Sequence, residues 1–334
     1  MKKRALTGIK PTGNLHIGNF VGAIQPMLKL ARDPNFTTNI FIADYHALNL
    51  AEGRAHIKQH SYQIAASYLA LGLDPEGCVF YRQSDVPETF ELTTLLTSFT
   101  PKGLMNRAHA YKAAIQANRE QGVEDEDIGI NMGLYIYPIL MAADILLFDA
   151  DVVPVGKDQK QHIEFARDMA GSVNAVYGPV LKLPEAMISE ETMELPGLDG
   201  RKMSKSYGNV LPIFAPKAEL EKACMRIKTD SRLPEEPKDP NDSILYKLYA
   251  GMADAAQAKS FHDRFVPGGM GYGQAKKELA ELLDTIFGPA REKYDALMAS
   301  PELIDKHLDV GAAKARALAQ ATLKRIREAA GFRV

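Results

Sequence analysis

Arg4-Ala5-Leu6-Thr7-Gly8-Ile9, then Lys10-Pro11-Thr12-Gly13-Asn14, then Leu15-His16-Ile17-Gly18-Asn19 is the stretch that decides the fold class. The first six residues form an apolar run of strand length. The next five hold a proline and a glycine, the residues that turn a chain. From about Ile17 to Ala31 apolar residues recur at helical spacing. Strand, glycine-bearing turn and helix in immediate succession are the opening unit of a nucleotide-binding α/β sheet. The spacing of Gly8 and Gly13 mimics a P-loop, but that motif continues with Lys and Ser or Thr, and here Asn14 and Leu15 follow. What the turn does offer is a helix N-terminus, whose first backbone N–H groups have no partner inside the helix and attract phosphate. His16 and Asn19 stand close by as side-chain donors, and Gly18 would let a flat base approach the backbone.

The alternation continues downstream. Asn39–Asp44 reads as a second strand, Ile57–Leu71 as a helix closed by Gly72, and Val79–Gln83 as a third strand. Val152–Val155 is a fourth, running into Gly156 and a helix from about Asp158 to Ala170. Strands and helices of these lengths predict an α/β fold, a doubly wound, Rossmann-like parallel sheet with right-handed crossovers. After about Pro212 the β-branched runs stop and helical periodicity takes over, as in Ala275–Phe287 and Ala312–Ala330. The expected division is a Rossmann-like domain over residues 1–194, a glycine-bearing loop over 195–210 that is mobile by composition, and an all-helical domain over 211–334. Gly268 to Gly273 carries a dinucleotide-like glycine spacing, but no strand precedes it, so it reads as a turn before a helix near Gln274.

The chain has 334 residues, enough for about two domains. Its 40 basic and 42 acidic side chains leave a formal charge of −2, so any surface for nucleic acid must be local. Cys78 and Cys224 lie far apart with no Cys-x-x-Cys, which argues against a disulfide framework or a cysteine-built metal site. No apolar run follows the basic N-terminus, and the longest apolar stretch, from Gly133 to Phe148, is too short to span a bilayer. A cytoplasmic protein without a membrane anchor is expected.

A second motif, Arg201-Lys202-Met203-Ser204-Lys205-Ser206, lies in the glycine-bearing loop. Two ammonium groups three residues apart on a loop suit a polyphosphate and the charge that develops as pyrophosphate leaves. Paired with the first turn, this motif resembles the two signatures of the class I aminoacyl-tRNA synthetases. The likeness extends through Thr7–Asn19, Ala43–Leu48, Tyr137–Leu147, Val153–Glu164 and Arg201–Ser206, and is to the tryptophanyl branch as bacteria have it. The first signature ends in Asn19 where the commonest class form has His, a change typical of that branch.

The resemblance implies ATP-dependent activation of L-tryptophan and its transfer to tRNA(Trp), with Mg2+ carried on the nucleotide and a helical anticodon-binding region. It implies a homodimer as well. The ATP-side residues are then Lys10, Thr12, Gly13, His16, Gly18, Asn19, Gly156, Asp158, Lys202, Met203, Ser204, Lys205 and Ser206. His16, Asn19, Lys202 and Lys205 act on the phosphates during reaction, Lys112 is an additional phosphate-side lysine, and no protein metal site is implied. The tryptophan side is Leu6, Gly8, His46, Tyr137, Met141, Asp144, Val153, Val155 and Gln159, with Gln159 and Tyr137 on the ammonium group.

Residue chemistry bears on the choice between tryptophan and tyrosine. Tyr137, Met141 and Asp144 share one face of a helix that Pro138 is expected to start. An ionised carboxylate only accepts hydrogen bonds and an indole N–H only donates, so Asp144 suits the ring. A phenol would satisfy it too. Met141 discriminates, because the tyrosyl branch resembles Tyr-x-x-x-Gln-x-x-Asp here and a thioether is apolar and adaptable. Asp158 and His162 also have the i, i+4 spacing of two metal ligands, with no third in view. The last helix, Lys314 to Arg333, carries Lys314, Arg316, Lys324, Arg325, Arg327 and Arg333 against one acid, Glu328, a candidate face for tRNA. Tyrosyl-tRNA synthetase chemistry, or a related chain that binds amino acid or RNA without charging tRNA, stay open as alternatives.

Overall fold

The structure, a computed structural model, describes residues 2–49, 54–122, 124–156, 159–188 and 195–334. Five parallel strands form one sheet: β1 (Lys3–Ile9), β2 (Phe36–Ile42), β3 (Val79–Arg82), β4 (Val152–Val155) and β5 (Glu185–Ile188), in the order β3-β2-β1-β4-β5. Both faces are covered, as a parallel sheet requires. Ala5, Ile40 and Ile42 pack with Ile17, Ile24 and Ile64 on one face. Leu6, Phe41, Tyr81 and Val153 pack with Ile139, Ala143 and Ile163 on the other. The chain order reverses between β1 and β4, and open α/β sheets bind ligands beyond the carboxyl ends of the strands at such a switch point.

Several elements differ from their expected bounds. β2 starts at Phe36 because Thr37 and Thr38 extend its pleat, and Asp44 instead opens the short helix Asp44–Ala47. β5 has no β-branched run to announce it; it pairs only with β4 at the sheet edge. The first helix is interrupted: Ile17–Asn19 passes through a π-helical turn, Phe20–Ile24, into Gln25–Arg32. That wide turn stands just before Pro26, whose ring would clash with the carbonyl four residues back in a regular helix. Pro138 does not start its helix. The helix runs Met132–Leu146, with Asn131 Oδ1 accepting from the Leu134 N–H at 2.9 Å, so the N-terminus is set by an Asn cap and the proline lies inside.

Beyond the Lys205–Tyr207 turn the described elements are helices, among them Tyr272–Ala299 and Pro301–Ala330. Gly268 and Gly269, at φ +96° and +110°, form the turn ahead of the former. The last helix returns to the sheet. A Cβ at Gly311 would overlap the Phe80 carbonyl of β3, so only glycine permits this approach. Ala312, Ala315, Ala319, Leu323 and Ile326 join the apolar cluster on the Leu6 face. Four of the basic residues singled out for tRNA meet acids of the sheet-bearing half: Arg316 reaches Glu88 at 3.0 Å, Arg325 reaches Asp149 at 2.7 Å, Arg327 reaches Glu91 at 2.6 Å and Lys314 reaches Glu76 at 3.6 Å, while Lys324 pairs with Glu328 of its own helix at 3.9 Å. Lys314, Arg316, Arg325 and Arg327 thus help to dock the helix, which corrects their reading as charges left wholly to RNA.

Candidate nucleotide and amino-acid site

The two sequence motifs meet. The Ile17 N–H donates to the Leu211 carbonyl at 3.0 Å and the Ile213 N–H donates to the Leu15 carbonyl at 3.2 Å. This short antiparallel bridge lays the chain that leaves the lysine loop across the first turn. Met203 is buried, its Sδ 3.5 Å from where a Cβ on Gly18 would stand. Gly13 takes φ +81° with the His60 ring 3.1 Å from its Cβ position, so both backbone and space call for glycine.

His16 is the N-cap of the first helix. Its Nδ1 accepts from the Asn19 N–H at 3.3 Å, and Asn19 Oδ1 accepts from the His16 N–H at 3.1 Å. Burial, with the Lys205 charge adding to it, pulls the His16 pKa from 6.5 down to about 4. A neutral ring that accepts at Nδ1 carries its proton on Nε2, which leaves a donor free for an anion. The depressed pKa also fixes a sign: the unfolded chain binds this proton below pH 6.5 and the folded chain only near 4. Stability from His16 is therefore full above pH 6.5 and declines as the pH falls toward 4. NMR titration of the free protein should find a His16 midpoint near 4; one at the ordinary histidine value would refute the buried, neutral ring.

Lys205 Nζ donates to the Thr12 carbonyl at 2.5 Å, joining loop and turn. Burial lowers the pKa of Lys205 and of Lys10. Lys202 and Ser206 are exposed and Ser204 half-buried. Asn209, which the sequence reading passed over, organises the loop. Its Oδ1 accepts from the Ser204 N–H at 2.8 Å, and its Nδ2 donates to Asp199 at 2.7 Å and to the Lys202 carbonyl at 3.1 Å. An Asn directly after a glycine was its only sequence signal; the structure buries Asn209 and sets Gly208 at φ +62°.

Asp144 forms the second centre. It is 2% exposed, and His46 Nε2 lies 2.9 Å from its Oδ2. Gln83 Nε2 donates to Oδ1 at 2.8 Å and to Oδ2 at 2.9 Å. Burial raises the Asp144 pKa, and the contacts from His46 and Gln83 pull it back. Gln83 was also missed; a glutamine at the end of an apolar strand is its signal, and the structure buries it. Leu6 and Val153 are buried in the apolar cluster beside Ala143, with Met141 and Val155 packed against it. Gly8 is exposed on β1, where a Cβ would overlap the Phe41 ring.

Tyr137 Oη lies 3.2 Å from His162 Nε2. Gln159 precedes the helix Lys160–Tyr177, and Gly156 is exposed at the end of β4. Asp158 lies outside the described residues. Lys112 stands apart, exposed on the helix His109–Glu120 in a cleft with Tyr111, Arg119 and Glu126. Two clusters thus lie close to the carboxyl ends of β1, β2 and β3: donors and lysines at the β1 turn, and a buried carboxylate held by His46 and Gln83.

The family described as tRNA synthetases class I (W and Y) matches residues 2–288. The tryptophan–tRNA ligase of Pseudomonas aeruginosa is 51% identical over 336 residues, covering 100% of this chain and 75% of that protein. The tryptophan–tRNA ligase of Neisseria meningitidis is 47% identical over 332 residues, covering 99% of this chain and 98% of that protein. Among solved structures, the tryptophanyl-tRNA synthetase of Campylobacter jejuni, complexed with ADP and tryptophan, superposes with a TM-score of 0.89 at 43% identity, covering 98% of this chain and 100% of that one. With its five-stranded parallel sheet, its paired motifs and these likenesses, the chain belongs to the class I tRNA synthetases of the tryptophan and tyrosine group.

Proposed function

We propose that this chain is a tryptophan–tRNA ligase. The carboxylate of L-tryptophan attacks the α-phosphorus of ATP, the bond from that phosphorus to the bridging oxygen breaks, and tryptophanyl-adenylate and pyrophosphate form. The tryptophanyl group then passes to the terminal ribose of tRNA(Trp), releasing AMP. The substrate supplies its own nucleophile, so the protein's work is alignment and charge stabilisation.

The observation that carries this reading is the bridge between Leu15–Ile17 and Leu211–Ile213, which sets Lys205 beside the turn of His16 and Asn19. In the proposal, the His16 Nε2–H and Asn19 hold phosphate from the helix side, and Lys202 and Lys205 hold it from the loop. Lys10, Thr12, Gly13, Gly18, Gly156, Asp158, Met203, Ser204 and Ser206 complete the nucleotide site. Met203, seated over Gly18, serves as the loop's apolar foot. The indole lies among Leu6, Gly8, Met141, Val153 and Val155 with its N–H on Asp144, while Tyr137 and Gln159 take the ammonium group and His46 steadies the carboxylate.

Magnesium would accompany the nucleotide as part of the substrate, held mainly by the phosphates, and would supply charge neutralisation for the departing pyrophosphate. No group of three His, Cys, Asp or Glu side chains gathers to hold a metal among the described residues. None of their helices is long and apolar enough to cross a membrane. The reading takes residues 1–194 as catalytic, 195–210 as the closing loop and 211–334 as the helical region that meets the anticodon, in a cytoplasmic homodimer. Met141, in place of a polar residue beside the ring, favours tryptophan over tyrosine. Pyrophosphate exchange with each of the amino acids in turn tests it: exchange with tryptophan alone is expected, and exchange driven by tyrosine would overturn the assignment.

A further inference from the structure

We propose that Gln83 is a positioning residue for ring recognition, fixing the Asp144 carboxylate so that Oδ1 faces the amino-acid ring as a hydrogen-bond acceptor. This rests on the reading that Asp144 receives the indole N–H. The orientation of the Gln83 amide follows from its neighbours. Its Oε1 accepts from the Tyr45 N–H at 3.2 Å, which turns the NH2 end onto both Asp144 oxygens at 2.8 and 2.9 Å. Rotating the amide would set its oxygen against a buried carboxylate and strand the NH2 group against a backbone donor.

The two carboxylate oxygens are loaded unequally. Oδ2 takes contacts from His46 and Gln83, while Oδ1 takes one from Gln83 alone. Each ionised carboxylate oxygen has two lone-pair directions, so Oδ1 keeps one for a ligand. Gln83 itself is 1% exposed and makes no other described side-chain bond, so its polar atoms are wholly committed to the Asp144 network and to Tyr45. The titratable groups that face Asp144 are His46 and Tyr81. Because Gln83 is uncharged, it can hold the acceptor without titrating.

The test compares L-tryptophan with 3-benzothienyl-L-alanine, a near-isostere whose sulfur replaces the ring N–H. Pyrophosphate exchange gives kcat/KM for each. In Gln83→Met, which keeps side-chain length and removes the amide, the preference for tryptophan should fall about tenfold or more, mainly through KM, while the analogue is activated as before. Gln83→Asn, which draws the amide back by one methylene, should lose the preference likewise, and activation of the analogue certifies a folded site in each variant. Equal slowing of both substrates, leaving the ratio at its parental value, would make Gln83 a packing residue and overturn the inference. A parental enzyme with no preference for tryptophan over the analogue would overturn the Asp144 reading itself, and with it the inference.

Discussion

Replacing Lys205 by Ala slows adenylate formation by about 10²–10³-fold, the loss typical of one donor aimed at charge that grows in the transition state. Lys205 reaches the turn from the loop and lies 2.5 Å from the Thr12 carbonyl. That carbonyl is a weaker partner than a phosphate oxygen, since it is uncharged and the ammonium gains Coulomb attraction only from an anionic acceptor. The ammonium group thus waits beside the position where pyrophosphate develops and transfers to it as charge builds. The tryptophan centre around Asp144 involves different residues, so affinity for the amino acid should change little. The chain contains no tryptophan, so the indole emission in a stopped-flow mixture comes from substrate alone. An activation rate equal to the parent's would remove Lys205 from the mechanism.

Asp144→Asn should lower kcat/KM for tryptophan by about 10²-fold. The amide offers one acceptor and one donor group where the carboxylate offered two acceptors. His46 and Gln83 both contact those oxygens, so an Asn either turns its NH2 toward a donor or gives up the oxygen that faces the ring. Leaving a buried donor without an acceptor costs more than losing an exposed contact. The loss should appear in KM for tryptophan, with the KM for ATP retained. Steady-state exchange kinetics measure both, and an Asn variant as efficient as the parent would show that the carboxylate does not read the ring.

The sheet was legible because its strands have local signatures, and the meeting of the motifs was legible through their resemblance to the paired class I synthetase signatures. β1, β3 and β4 are short apolar runs closed by turn residues, and the run from Lys10 to Asn14 names its own turn. β5 was not legible, since Glu185-Ala186-Met187-Ile188 alternates weakly and owes its conformation to pairing with β4. Pro138 misled for a related reason. Proline is common at a helix start, but here Asn131 supplies the cap and tertiary packing carries the helix past the proline. Gln83 and Asn209 escaped because their importance lies in partners distant or irregular in sequence: Gln83 meets a carboxylate 61 residues away, and Asn209 closes a loop with no periodic pattern. The basic stripe of the last helix looked free because sequence shows charge without showing what it faces. Arg316, Arg325 and Arg327 find Glu88, Asp149 and Glu91 of the sheet-bearing half only once the helix folds back.

A crystal structure with L-tryptophan and a non-hydrolysable ATP analogue bound together tests the central claim most directly. The triphosphate should lie between His16 and Asn19 on one side and Lys202 and Lys205 on the other, with the indole nitrogen within hydrogen-bond distance of Asp144 Oδ1. A nucleotide seated away from these four residues, or a ring whose nitrogen faces away from Asp144, would contradict it.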